Sequence, residues 1–461
     1  MLNEATRQFV CQHSDDDVRR LALQAHATPD VDLPMALDQI RGRQTARQKL
    51  PSWATIDGIV YPPPLSMEQC ASEQTAPSKA QLLARLLQSE FSMESAKNAH
   101  FIDLTGGFGV DFVAMAQAVS NFSEQENFSS QDDHPNRFIY VERNEHLCDL
   151  ARHNFPLLGL PNVEIVCDTA ENFLENPSSL HTPHSSLHTP HSTLLAPRSS
   201  KNQHPSPTTQ HLPPTIIFLD PARRDVHGQR TYALADCTPN VLELRDELFK
   251  SADFIVLKLS PMLDWHRAVE ELKTVSEVHI VSVANECKEL LLVIQKKAQK
   301  PRIFCVNDQQ RFSYEVENNV KTVPCIAETA SLSEKKHLYI PNTSLMKAGC
   351  FAELCNHFHL AALAPNSHLF VKTDESEPSD EKIDDFPGKI FQISAISSMN
   401  KRDLRENLQG IDRANIATRN FPMKPEELRR RLKIKEGGDN YIFATTLANG
   451  KHELIVCKHA I

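Results

Sequence analysis

The sequence predicts an α/β fold, a mainly parallel sheet with helices on both faces, and three observations carry that expectation. Seven apolar strand-like segments alternate with helical ones between about residues 97 and 294. The first of them runs into a glycine-rich turn followed by a helix, the opening unit of a ligand-binding sheet. The last two are too close together for a crossover and must pair as a hairpin. A helical N-terminal region precedes this sheet, and small α+β domains follow it.

Residues 1–95 show apolar positions at helical spacing in DDDVRRLALQAH and LPMALDQIRGRQTARQKL, with no obvious strand. Three prolines then precede LSMEQCASEQTA, where Ser66 and Gln69 have the spacing of a capping box and predict a helix starting at Ser66. Residues 96–295 contain the strands HFIDL, RFIYVE, VEIVC, TIIFLD, FIVLKL, VHIVSV and ELLLVI. Only ANECK joins the last two, so the final strand is expected to be antiparallel.

Two polar insertions interrupt this domain. The longer, residues 176–214, repeats SLHTPHS in tandem at 179–185 and 186–192 in a Ser/Thr/Pro/His background and is expected to be disordered. Its His181, His184, His188 and His191 are read as repeat slippage, not as metal ligands. Beyond it, residues 296–372 predict a mixed α+β domain with strands RIFCV and FSYEV, one helix over LMKAGCFAELCNHFHLAAL and a strand HLFVK. A charged linker, 373–388, leads to a module at 389–461 that alternates strand, helix, strand, helix and a last hairpin turned at Asn449-Gly450.

Composition narrows the function classes. The 461 residues are 40% hydrophobic, enough for a sizeable core. No run of eighteen apolar residues offers a membrane span, and the N-terminus has no basic-then-apolar leader pattern. Eleven cysteines without paired or framework spacing fit reduced thiols, hence a cytoplasmic protein, and disfavour zinc. Cys350, Cys355, His357 and His359 share one expected helix, but with no second ligand pair they read as core thiols and surface histidines. The net charge of −10 is uneven: residues 389–461 hold 14 Lys and Arg against 8 Asp and Glu, so an acidic body of −16 carries a basic tail of +6. A nucleic-acid partner or a solvated helix face accounts for such a tail.

The residues that carry chemistry fall at successive strand ends. Asp103-x-x-x-Gly107-x-Gly109, with Thr105 and an additional Gly106, replaces the GxGxxG of dinucleotide binders. Glu142 closes the second strand, where an acid can accept from ribose hydroxyls, and Asp168 follows the third, near the place of an adenine. The fourth strand delivers Asp220 and Pro221 in DPARRD, with Arg223 and Arg224 behind them. A strand-end Asp can accept a proton from an amine or ring nitrogen, and paired arginines can grip a phosphate or carboxylate or form a surface ion pair. Lys258, ending the fifth strand, reads equally as a site residue or as a cap on the sheet edge. Gln69, Glu73 and Thr75 either close over a ligand or belong to a packed, capped helix.

Taken with LSMEQCASEQTA, DLTGGFGVD, KLSPMLDW, PNTSLMKAGCFAEL and RNFPMKPEELRRRLKIKEGGDNYIFAT, these motifs resemble a bacterial family of class I S-adenosyl-L-methionine (SAM) methyltransferases with ferredoxin-like and C-terminal THUMP-like domains. The resemblance implies a Rossmann-like methyltransferase sheet, SAM as cofactor held by Asp103, Thr105, Gly106, Gly107, Gly109, Glu142 and Asp168, and a reaction centre at Asp220, Pro221, Arg223 and Arg224. The THUMP-like module implies a structured RNA substrate, tRNA or rRNA, with Arg429, Arg430, Arg431, Lys433 and Lys435 on phosphates. Methylation of protein, DNA or a small molecule, and a non-catalytic RNA-binding role, are the alternatives. No metal is implied.

Overall fold

The computed structural model describes residues 2–24, 30–96, 98–124, 136–176, 213–222, 233–297, 300–316, 323–325, 332–333, 335–373 and 385–459. The insertion's histidines, Arg223 and Arg224 lie outside them. The chain divides into two compact units, one of residues 1–276 and 291–299, the other of 277–290 and 300–461.

The first unit opens with the helices Glu4–Gln12, Val18–Gln24, Leu33–Lys49, Pro51–Ala54, Pro64–Gln69 and Ala76–Glu90. The expected capping box is not formed. The helix begins at Pro64, with Pro63 as its cap and no side-chain cap bond, because a proline at the first position already fixes the helical φ and needs no partner for its missing N–H. Ser66 lies inside the first turn. In Ala76–Glu90, Leu82, Leu83, Leu86 and Leu87 form a buried stripe that packs on the helix Val110–Glu124. Lys79, at the same spacing, is fully buried among them.

The sheet of this unit comprises β1 (His100–Asp103), β2 (Arg137–Val141), β3 (Val163–Val166), β4 (Thr215–Leu219), β5 (Phe254–Leu259) and the paired ends of β6 (Val275–Val283) and β7 (Glu286–Gln295). Its order is β3-β2-β1-β4-β5-β7-β6. β1 to β5 pair in parallel, as long crossovers through helices require. Ala284 and Asn285, both with positive φ, turn β6 back on itself as β7, so the last strand is antiparallel and slots between β5 and β6. Ile102, Ile139, Ile217 and Val256 are wholly buried at the centre, each contributing about 1.5–3 kcal/mol. The order reverses between β1, which pairs with β2 on one side, and β4 on the other. A crevice opens at such a reversal, beyond the carboxyl ends of the strands.

The second unit contains β8 (Arg302–Asn307) and β9 (Gln310–Glu315), an antiparallel pair in which β8 runs parallel to residues 277–282 of β6. It also holds a seven-stranded sheet of β10 (His337–Pro341), β11 (Leu360–Ala362), β12 (Phe370–Lys372), β13 (Gly388–Ser398), β14 (Asn415–Arg419), β15 (Asn440–Thr446) and β16 (His452–His459), ordered β11-β12-β10-β13-β16-β15-β14. β10 pairs with β13 in register, and Leu338, Val371, Phe391, Phe443 and Ile455 share one core. The segments expected on either side of the charged linker thus build one sheet.

The single long helix expected over 345–363 is instead two short ones, Thr343–Ala348 and Phe351–Phe358, followed by β11. Gly349 and His359 adopt left-handed conformations that end each helix, and the run Leu360–Ala362 finds a better partner in β12 than in another helical turn. Cys350 and Cys355 are buried there, and no three His, Cys, Asp or Glu converge as a metal site among the described residues. Nor is any described helix long and apolar enough to cross a membrane.

Candidate active site

The turn after β1 is shaped by glycines, two of which leave no room for a side chain. A Cβ on Gly106 would stand 2.1 Å from the Tyr140 ring, and one on Gly109 2.6 Å from Phe155. Gly107 and Gly109 also have φ of 57° and 85°, in the left-handed region. The Tyr140 hydroxyl donates to the Gly107 carbonyl, so β2 supports the turn from beneath. Glu142, just past β2, accepts the Gly107 amide at 2.9 Å on Oε2 and the Asn144 amide at 2.8 Å on Oε1. Each oxygen retains a lone pair for a ligand hydroxyl.

Asp103 is buried at the end of β1, and its Oδ1 accepts from the Thr105 amide at 2.8 Å and the Thr105 hydroxyl at 3.3 Å. Burial pushes its carboxyl up to about 8 against those two bonds, and the Asp111 and Asp220 carboxylates push it the same way. Thr105 Oγ1 in turn accepts the Asp220 amide at 2.7 Å. One hydroxyl therefore joins the glycine turn to the end of β4. Pro221 is buried, and Ala222 exchanges backbone bonds with Thr238, which fixes the chain just after Asp220. Asp168 stands half-exposed beyond β3, with Oδ1 accepting from the Thr169 amide and the Asn172 side chain.

Lys79 and Asp111 escaped the reading of the sequence, and both join Lys258 in one chain of ion pairs. Lys258 donates at 2.7 Å to Oδ2 of Asp220 and at 2.7 Å to Oδ2 of Asp111, while Lys79 lies 3.1 Å from Asp111 Oδ1. Burial works to raise the Asp111 carboxyl, yet the Lys258 and Lys79 ammonium groups hold it below the usual carboxylate range. The available signals were a lysine on the leucine stripe of its helix and an acid in the first turn after the glycines. Lys258 is not an edge cap, because β5 is flanked by β4 and β7.

The N-terminal candidates separate. Glu73 accepts the Ser52 amide, and buried Thr75 accepts from Lys79, so both serve the packing of helices. Gln69 is exposed. In the second unit, the helix Pro425–Leu432 leaves Arg430, Arg431, Lys433 and Lys435 exposed, whereas Arg429 is half-buried and lies 3.5 Å from Glu436.

Residues 388–459 match the THUMP domain-like family and residues 337–387 a ferredoxin-like domain family. Over 99% of its length the chain superposes on 98% of a crystal structure from Porphyromonas gingivalis W83 described as a candidate methyltransferase, with a TM-score of 0.74 and 28% identity. A SAM-dependent methyltransferase from Agrobacterium tumefaciens matches far more loosely, with a TM-score of 0.29 and 15% identity over 49% of this chain and 62% of that one. Among curated proteins none matches significantly. The fold is that of a class I methyltransferase followed by ferredoxin-like and THUMP-like domains. The open glycine turn, with acceptor carboxylates on the neighbouring strand ends, fits SAM as the cofactor.

Proposed function

We propose that this chain, a SAM-dependent methyltransferase, transfers the methyl group to a base nitrogen of structured RNA, tRNA or rRNA. The observation that carries the reading is the union in one chain of the Asp220 crevice with a THUMP-like domain. In this reading Glu142 accepts from the ribose hydroxyls and Asp168 borders the adenine. The amides of the Thr105–Gly109 turn, backed by Asp103, approach the rest of the cofactor. Held by these residues, SAM would supply a sulfonium methyl group as the electrophile for the nitrogen lone pair, with the thioether as leaving group.

Asp220 orients the nitrogen by accepting its N–H, and takes the proton that the new bond makes acidic. Pro221 stiffens the backbone beside it without adding a donor. Arg223 and Arg224, next along the chain, are the proposed grips for a phosphate or a carboxylate. Arg430, Arg431, Lys433 and Lys435, with Arg429 beside them, contact RNA phosphates, which position the substrate but do not read its sequence. Eleven cysteines without paired spacing along the sequence favour a cytoplasmic setting for that RNA.

Nucleoside mass spectrometry of RNA from cells with and without the gene tests the substrate class. A methylated nucleoside that disappears with the gene, and is restored by the wild type but not by Asp220→Ala, is the expected result. Calorimetric SAM binding without any RNA binding by the intact chain would move the substrate to protein, DNA or a small molecule. RNA binding without SAM binding would leave a non-catalytic RNA-binding protein.

A further inference from the structure

Lys258 has no part in the steps above, yet its surroundings are not those of a structural cation. Only 13% of its side chain is exposed, and its ammonium spans two carboxylates, Asp111 and Asp220, at 2.7 Å each. Asp111 does not require it for neutrality alone, since Lys79, with no exposed side-chain surface, already stands against the other oxygen. The four groups alternate in sign as Lys79, Asp111, Lys258 and Asp220. Within this set of four the charges balance with Lys258 paired to Asp220. Asp220 is also the most exposed of the four, at 38% of its side chain, so the buried end of the chain anchors the accessible end.

We infer that Lys258 is a positioning residue which pins Oδ2 of Asp220 and so presents Oδ1 to the substrate N–H, an inference that rests on the reading of Asp220 as the proton acceptor. Two independent elements then fix that acid. Thr105 holds its amide from the glycine turn, and Lys258 holds its carboxylate from β5. Without the second hold the carboxylate would rotate freely. The lysine is itself prevented from sampling the rotamers of its four-carbon stem, because Asp111 receives it and Lys79 secures Asp111. Orientation is thereby arranged before substrate arrives, which lowers the entropic part of the barrier without tightening the ground state.

The test compares the full-length wild type with Lys258→Met, Lys258→Arg and the doubly substituted Asp111→Asn/Lys258→Met, whose remaining charges balance if the single Met variant does not fold. The Met variant should lose about tenfold or more in kcat while KM for RNA and the calorimetric Kd for SAM stay within about twofold, and Arg should restore part of the loss. A crystal structure of the Met variant should show Asp220 in more than one rotamer. A wild-type kcat, a loss of SAM affinity matching the loss of kcat, or a single wild-type Asp220 rotamer would overturn the inference. Should the wild type transfer no methyl group to RNA, the proposed function falls, and the rotamer comparison still decides the role of Lys258.

Discussion

Glu142 accepts the backbone amide of Gly107, 35 residues earlier in the chain, at 2.9 Å. The end of β2 and the turn after β1 are therefore one device. A charged acceptor on a backbone donor contributes about 1.5–3 kcal/mol. Glu142→Ala is expected to weaken SAM binding at least about tenfold by removing both the ribose acceptor and the hold on the turn. Isothermal titration calorimetry checks it, and Glu142→Gln, which keeps one acceptor, should fall between.

Gly106→Ala should destabilise the fold by about 1–3 kcal/mol, since its Cβ would enter the ring of Tyr140, which is buried and packed against Phe112 and Phe155. Urea unfolding monitored by circular dichroism measures the loss. Gly159→Ala serves as a comparison: its Cβ would meet nothing within 4 Å, and only the positive φ of 82° opposes it.

The pH dependence of stability has opposite signs at two neighbouring acids. The Asp103 carboxyl, raised to about 8, binds its proton more tightly in the folded than in the unfolded chain. Its contribution is full below the ordinary carboxylate range and is lost as pH rises toward and through about 8. Asp111 is lowered, so its contribution is present above the ordinary carboxylate value and lost as pH falls through its own. Thermal unfolding of Asp103→Asn against wild type from pH 4 to 9 should show the variant gaining relative stability across that interval. A constant difference would contradict the assignment.

Lys79→Met should cost roughly 3 kcal/mol, because the wholly buried cation is one of two that hold Asp111 in its own helix–helix interface. Adding Asp111→Asn should recover part of that loss, a coupling that a double-mutant cycle in urea reads directly.

Arg430→Glu with Arg431→Glu should weaken RNA binding and flatten its dependence on salt, as fewer counterions are released, while leaving SAM binding unchanged. Filter binding at 50 and 200 mM salt, with calorimetry alongside, separates the two effects.

The core of the methyltransferase sheet was legible because its strands are short continuous apolar runs, each ending on a residue of special chemistry. Asp103, Glu142, Asp168 and Asp220 stand out for that reason. Local signals failed where a competing local device or a distant partner decided the outcome. Pro64 displaced the Ser66 cap, and Gly349 with His359 divided the helix that hydrophobic spacing alone would have continued. The joining of β10 to β13 across the charged linker depends on pairing between segments some fifty residues apart, which no periodicity encodes.

The sequence by itself determined the strand rhythm, the glycine turn and the acids that follow it, because these depend on residue type and on spacing along the chain. The tertiary structure alone decided which charges meet. Lys79, Asp111, Asp220 and Lys258 are spread along the sequence from position 79 to position 258, and only the stacking of one helix on another and the adjacency of β4 and β5 place them in a single chain of contacts. Desolvation gives those contacts their strength, and it exists only once the core has closed.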